Sequence, residues 1–451
     1  MRARWLRLAG PGAASRRRRD ARALRDGLRH FCEAIRLLSS HVAARIIAPD
    51  AVMRRVTPVV GTQGRAASAP GEVAFPPRQI CEVVHHTAGR WANLRIASVL
   101  TRRGTLTSFD SNQPVRLGIV GCGAITREAH LPVIIGDRRV EVTVLCDRDH
   151  RNATHAARAG GVEAEITTEL AGLAGKVDAA IVAVPPRFHA PVAIQLMEMG
   201  IDVLCEKPLA ITVADGQKMV EAARRTGRVL AVALMMRFFP HNRWLADLVE
   251  DGEIGEACEV IVEDGAPLDW PMASNSYFDR NATGGGVLFD TGVHLLDRVL
   301  WLFGDLTEIA YEDDAFGGFE SNAKLTGTLQ MGGRPVPARL EFSWSHRLRR
   351  SIRVVGERGT LEASTSDPRT LTLHRTTRRG PMEMQILCAK RWDGRSHYRA
   401  QLDDFIGAVR ERRAPFVTGE SALHALAVIE KAYARRTPMA QPWLARMGSS
   451  A

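Results

Sequence analysis

The sequence predicts an α/β protein, a doubly wound parallel sheet followed by a second, strand-rich domain. Three observations carry this. A short β-branched run, Val115 to Val120 (VRLGIV), stops at a Gly-x-Gly turn. Apolar runs and amphipathic stretches then alternate as far as residue 236. Beyond residue 256, strand patterns follow one another directly.

The turn comes first. Gly121 and Gly123 stand two apart between a buried strand and a helix, where backbone amides can approach a pyrophosphate and a Cβ would not fit. Ala124 and Ile125 continue the turn. Thr126 occupies the third motif position in place of Gly or Ala, a departure from the fingerprint. A second strand, Val140 to Cys146, ends at Asp147, 26 residues after Gly121. A carboxylate there accepts both hydroxyls of an adenosine ribose; the competing reading makes Asp147 the cap of a helix beginning near Asn152. Arg148 follows, placed to stack on adenine. Strands at 177–184, 201–205 and 229–236 alternate with helices at 188–199 and 212–226. Such spacing implies a parallel sheet with right-handed crossovers. Residues 113–238 are therefore read as a Rossmann NAD(P)-binding domain, with Asp147 favouring NAD over NADP.

The net charge of +11 belongs to one end of the chain. Residues 1–110 hold 20 arginines, no lysine and seven acidic groups; the remainder holds 41 basic and 43 acidic groups. The body thus has no global field to recommend nucleic acid as a partner. Residues 1–112 combine a four-arginine run at Arg16–Arg19, one amphipathic stretch at 27–47 and a proline-interrupted segment at 57–80. They are read as a poorly ordered extension, and 444–451 as a tail. No run approaches the ~18 apolar residues of a spanning helix. Seven scattered cysteines without a Cys-x-x-Cys pair indicate neither a disulfide framework nor a zinc ribbon, and a cytoplasmic location is expected.

Further along, strand 201–205 runs into Glu206-Lys207-Pro208. VPPRFHAP, with Pro185, Pro186 and His189, precedes it; ALMMRFFPHN, with Arg237 and Pro240, follows. Downstream lies GGGVLFDTGVHLLDRVLWLFG at 284–304. This ordered set resembles the glucose–fructose oxidoreductase and inositol dehydrogenase (Gfo/Idh/MocA) family across residues 114–443. The resemblance implies a second domain at 239–443, α+β with a mostly antiparallel open sheet that packs substrate against the nicotinamide and supports homo-oligomers. Strand patterns at 256–264, 305–312, 322–331, 335–344 and 351–364, and amphipathic helices at 398–412 and 420–435, agree with it. It also implies that Pro185, His189, Glu206 and Lys207 border the cofactor.

Oxidising a secondary alcohol with a nicotinamide needs a base for the hydroxyl proton and positive charge near the developing alkoxide. Asp290 and His294 are four apart in a segment that reads as helix, so both lie on one face. Imidazole is the natural base near neutral pH. Asp290 is placed to orient the ring or to bind a substrate hydroxyl. Lys207 supplies the charge, at the carboxyl edge of the sheet where ligands of open α/β sheets bind. Related family members use the corresponding three residues as their catalytic set. Asp-x-x-x-His is also a metal-ligand spacing, but no third ligand is evident, so no metal is expected. Gly284 to Gly286 read as letting backbone approach substrate. Loop 265–283 offers Asp269, Trp270, Ser274, Tyr277 and Asn281 to sugar hydroxyls and ring faces.

The leading expectation is an NAD(P)-dependent oxidoreductase acting on a small polyhydroxylated substrate: a sugar, cyclitol or nucleotide sugar. Two alternatives stay open. One is a glycosidase that retains NAD and works by oxidation, elimination and re-reduction. The other is a non-catalytic scaffold whose basic arm is the functional part; intact Lys207, Asp290 and His294 argue against it.

Overall fold

The computed structural model describes residues 113–271, 275–316 and 318–440; the extension, with the helix expected at 27–47, and the tail lie outside them. The first sheet has six parallel strands, β1 (Val115–Val120), β2 (Val140–Cys146), β3 (Glu165–Thr167), β4 (Ala179–Val182), β5 (Asp202–Cys205) and β6 (Leu230–Val232). Their order is β3-β2-β1-β4-β5-β6. β4 and β5 bury every residue, the pattern of strands covered on both faces. Helices α1 (Leu131–Ile134), α2 (His150–Gly160), α3 (His189–Glu198) and α4 (Val213–Thr226) connect them. The order reverses between β1 and β4, so the loops after these strands open a crevice at the carboxyl edge. α2 starts on Asp149, whose side chain accepts from the Arg151 amide; Asp147 is not its cap.

The second sheet has nine strands: β7 (Ala257–Gly265), β8 (Leu306–Asp313), β9 (Asn322–Met331), β10 (Arg334–Ser343), β11 (Ser351–Gly356), β12 (Gly359–Ser364), β13 (Thr370–Thr377), β14 (Gly380–Leu387) and β15 (Arg436–Pro438). Neighbours are antiparallel except β7–β10 and β8–β15. Helices α5 (His241–Glu250), α6 (Arg280–Thr283), α7 (Val293–Phe303), α8 (Ser396–Glu411) and α9 (Gly419–Ala434) complete the body. Alternate residues such as Leu325, Leu340 and Val354 are buried, while ion pairs such as Arg339–Glu259 and Arg353–Glu263 join neighbouring strands. One hydrophobic core runs through both halves, from Val182 and Val203 through Leu234 and Leu288 to Phe342 and Leu426.

Four expectations are corrected. The strand expected at 229–236 keeps only three residues; the chain then leaves the sheet edge in a tight turn, Met235–Phe238. The stretch 351–364 is a hairpin, because Gly356 and Gly359 pair across a Glu357-Arg358 turn. The segment carrying Asp290 and His294, read as one helix, begins as a wider π turn over Leu288–Gly292 that passes into α7. Finally, α8 and α9 are shared: they reach the first sheet as well as the second domain. Val232 N–H donates to the Val417 carbonyl, Arg412 pairs with Asp202 at 2.6 Å, and a Cβ on Gly216 would meet Leu423. The end of the chain thus closes the exposed edge of the first sheet.

Candidate active site

The glycine turn shows why its residues are needed. Gly121 has φ +94°, and a Cβ there would lie 2.4 Å from the Ala183 carbonyl oxygen in the loop after β4. Gly123 is different: a Cβ there would meet no protein atom within 4 Å and would project from a residue that lines the central cavity. The Thr126 departure has a physical account. Its buried hydroxyl donates to the Gly121 carbonyl at 2.6 Å and closes the turn itself. At the tip of β2, Asp147 Oδ2 accepts from the Cys122 amide at 2.8 Å and Oδ1 from the Asp149 amide at 2.9 Å. The strand-end carboxylate is therefore fixed against the turn. An open cradle at Gly123, free of side chain, beside a carboxylate at the next strand tip fits a dinucleotide.

The cavity measures about 800 Å³ and is lined from the first domain by Gly123, Ala124, Ile125, Pro185, Glu206 and Lys207. Asp290 and His294 face it from the second. Lys207, at the end of β5, donates from Nζ to Asp290 Oδ1 at 2.5 Å and to the Asp290 carbonyl at 3.0 Å. Tyr277 O–H donates to Asp290 Oδ2 at 2.9 Å. Burial pushes the Asp290 carboxyl up, but the Lys207 charge and these hydrogen bonds outweigh it and hold the group below its ordinary value. Local π turns such as the one carrying Asp290 are frequent at functional sites.

His294 lies one position into α7, and α7 is anchored by the buried bidentate pair Arg237–Asp297. Its Nδ1 is buried without a hydrogen-bond partner among the described residues. Burial, with the Lys207 charge, pushes its imidazole down to about 3. The ring is neutral at neutral pH. No hydrogen bond joins it to Asp290 among the described residues; the Asp290 oxygens accept from Lys207 and Tyr277.

Glu206 accepts a 2.7 Å hydrogen bond from His130, and burial is again outweighed, so its carboxyl is held low. His189 does not line the cavity. Its ring nitrogens face the Pro208 and Val184 carbonyls at 2.8 and 2.9 Å, tying the loop after β4 to the turn that carries Lys207. Burial pushes the His189 imidazole down. Arg148 is exposed and also lies off the cavity. In the loop 265–283, Asp269, Trp270 and Tyr277 line the cavity; Ser274 is outside the described residues.

Sequence reasoning missed Tyr398. It sits in the first turn of α8, lines the cavity, and is held protonated by burial and by the nearby charges of Glu206 and Asp290. No local pattern marks it, because only the return of α8 to the first domain brings it in. Of the glycine run, Gly285 lines the cavity, and packing sets a second demand on it. Cβ atoms on Gly285 and Gly286 would lie 2.0 Å from the Tyr433 hydroxyl and from the Glu320 carbonyl, so the run is packed against protein. Among the described residues no cluster of three or more His, Cys, Asp or Glu is arranged to hold a metal ion.

Comparison with known proteins agrees with this geometry. Residues 115–234 match the oxidoreductase-family NAD-binding Rossmann fold, and residues 246–438 the C-terminal alpha/beta domain of the same family. A dTDP-3,4-didehydro-2,6-dideoxy-alpha-D-glucose 3-reductase of Saccharopolyspora spinosa is 30% identical over 252 residues, 55% of this chain and 74% of that protein. An inositol 2-dehydrogenase of Corynebacterium glutamicum is 31% identical over 195 residues, 43% of this chain and 55% of its own length. Among solved structures, the 3-ketoreductase KijD10 from Actinomadura kijaniata, in complex with NADP and TDP-benzene, shares the fold with a TM-score of 0.62. It is 21% identical, and the match covers 73% of this chain and all of that one. With both domains matched in order and the turn, strand-end lysine and π turn meeting at one cavity, the chain belongs to the Gfo/Idh/MocA family of oxidoreductases.

Proposed function

We propose that this chain transfers a hydride between NAD(P) and a secondary alcohol, or the matching ketone, of a sugar, cyclitol or nucleotide sugar. Lys207, Asp290 and His294 form its catalytic set. The observation that carries the reading is the Lys207–Asp290 contact, which unites the carboxyl edge of the first sheet with the π turn of the second domain in one cavity wall. The relatives named dehydrogenase and reductase support the substrate class.

In the oxidative direction a bound nicotinamide, held by the Gly121–Gly123 turn and Asp147, would supply the hydride acceptor for the carbinol hydrogen. The protein does the rest. His294, a neutral ring on the cavity wall, takes the hydroxyl proton as the C=O bond forms, the Asp290 and Glu206 carboxylates favouring the imidazolium against burial and the Lys207 charge. Lys207 holds a positive charge beside the developing alkoxide. Asp290 fixes the Lys207 ammonium, and Tyr398 offers a protonated hydroxyl to the substrate. NAD is the preferred cofactor, on the strength of Asp147. The second sheet serves self-association. Unpaired thiols at Cys122, Cys146, Cys205, Cys258 and Cys388 support a reducing, cytoplasmic compartment.

A panel of sugars, inositols and nucleotide sugars with NAD and NADP, read by nicotinamide fluorescence, tests the proposal. Stoichiometric change in the cofactor is expected. Product release without net cofactor change would assign an NAD-retaining glycosidase instead.

A further inference from the structure

The π turn bearing Asp290 is suspended from a buried carboxylate that the chemistry above does not use. Glu320 is fully buried. Its Oε1 accepts from the Gly286 amide at 2.8 Å and from the Tyr433 hydroxyl at 2.5 Å, and its carbonyl accepts from the Val287 amide at 3.0 Å. Gly286 in turn accepts, through its own carbonyl, from the amides of Phe289 and Asp290 at 3.1 and 3.0 Å. Two hydrogen bonds thus separate the Glu320 carboxylate from the Asp290 backbone.

The last helix and strand brace this arrangement. Tyr433, on α9, stacks on Phe289 with an interplanar angle of 11°. Arg436, on β15, pairs with Asp313 at 2.6 Å and reaches Glu320 Oε2 at 3.6 Å. The small residues are explained too, since a side chain at 285 or 286 would strike Tyr433 or Glu320.

We propose that Glu320, braced by Tyr433, is a positioning residue that sets the place of the Asp290 carboxylate and so the pairing of Lys207. The proposal rests on the role given to Asp290 and Lys207 above, but its test needs no turnover. Lys207 is one of only six lysines in the chain. Its amine is therefore easily followed by reductive methylation with formaldehyde and cyanoborohydride, read by peptide mass spectrometry on the full-length protein.

In Glu320→Ala the turn loses its acceptor, Asp290 shifts, and Lys207 labels about fivefold faster or more, the scale of an opposite charge withdrawn from contact. Exposed Lys218 labels at an unchanged rate and controls for reagent, while the far-UV circular dichroism spectrum and melting curve report the fold. Glu320→Gln keeps a carbonyl oxygen for both donors and restores the rate of the unmutated protein. Tyr433→Phe keeps the stacked ring, loses one donor, and moves Lys207 in the same direction by less; it decides the matter if Glu320→Ala does not fold. NADH affinity, titrated by fluorescence, stays constant in every variant. Two results overturn the proposal: an unchanged Lys207 rate in the folded variants, or Glu320→Gln behaving like Glu320→Ala, which would make charge rather than geometry the cause. Neither result bears on whether the protein oxidises sugars.

Discussion

Lys207 Nζ lies 2.5 Å from Asp290 Oδ1 and 3.0 Å from the carbonyl oxygen of the same residue, so one ammonium joins the two halves of the molecule at the cavity. The lysine side chain is 18% exposed and the aspartate 33%. This is neither a solvated surface pair nor a sealed one. It leaves the ammonium open to a substrate oxygen while its charge is held in place.

Lys207→Ala is expected to lose most turnover, by ~10²-fold or more, because the charge acts mainly on the transition state. NADH affinity should change little, since the glycine turn and Asp147 are untouched. Steady-state kinetics beside NADH fluorescence titration separate the two effects. Near-normal kcat in Lys207→Ala would remove the lysine from the catalytic set.

His294 makes a prediction about pH. A base works in its neutral form, and burial lowers this ring from 6.5 to about 3. The active form should therefore persist as pH falls, and kcat/KM should show no acid limb near 6.5. The same shift has a cost in stability. Below about 6.5 the unfolded ring binds a proton that the native ring refuses, so stability is full above that pH and declines on the way down to about 3. Urea unfolding at neutral and mildly acidic pH should show the decline, and His294→Gln should lessen it. An acid limb at 6.5 in kcat/KM would mean that the ring is solvated or that another group is the base.

What the sequence revealed follows from how local each feature is. The Gly121–Gly123 turn, the Asp147 strand tip and the Lys207 strand end are each set by a few consecutive residues, and the structure has them where the pattern puts them. Asp290 and His294 were legible as neighbours, yet their partners were not. Tyr277 and Lys207 reach Asp290 from 13 and 83 positions away. Tyr398, Glu320 and Tyr433 had no local signal, because the elements that carry them approach the site only through tertiary packing. β13 and β14 were legible and overlooked: Leu371 and Leu373 in one, and Met382, Met384 and Ile386 in the other, alternate with polar residues in the two-residue period of a strand.

The two glycines of the turn should fail in opposite ways. Gly121→Ala forces a Cβ onto φ +94° and against the Ala183 carbonyl, so it should lower Tm and disturb the whole crevice. Gly123→Ala meets no protein atom. Its Tm should match that of the unmutated protein while NADH affinity falls by about tenfold or more, because the methyl occupies space that a pyrophosphate needs. Thermal unfolding and fluorescence titration on both variants read this. Unimpaired NADH binding by Gly123→Ala would place the dinucleotide elsewhere.

Cofactor choice turns on Asp147 and its neighbours. Its carboxylate is fixed by the Cys122 and Asp149 amides at the end of β2, and a carboxylate at such a strand tip can accept hydrogen bonds from ribose hydroxyls and repel a 2′-phosphate. Two arginines follow in sequence, and a guanidinium beside the ribose would favour the phosphate. One of them is already engaged: Arg151 Nη2 and Nε lie 2.9 and 3.1 Å from the carboxylate of Asp149. That leaves Arg148, exposed and free to stack on adenine. The carboxylate holds the strand-end position itself, so NAD should bind more tightly than NADP. Asp147→Ala should narrow or reverse the preference, weakening NAD through lost hydrogen bonds and strengthening NADP through lost repulsion. Arg148→Ala should weaken NADP further in that variant, since it removes an exposed guanidinium next in sequence to Asp147. Dissociation constants for both cofactors in the three proteins decide it, and tighter binding of NADP by the unmutated chain would reverse the assignment of Asp147.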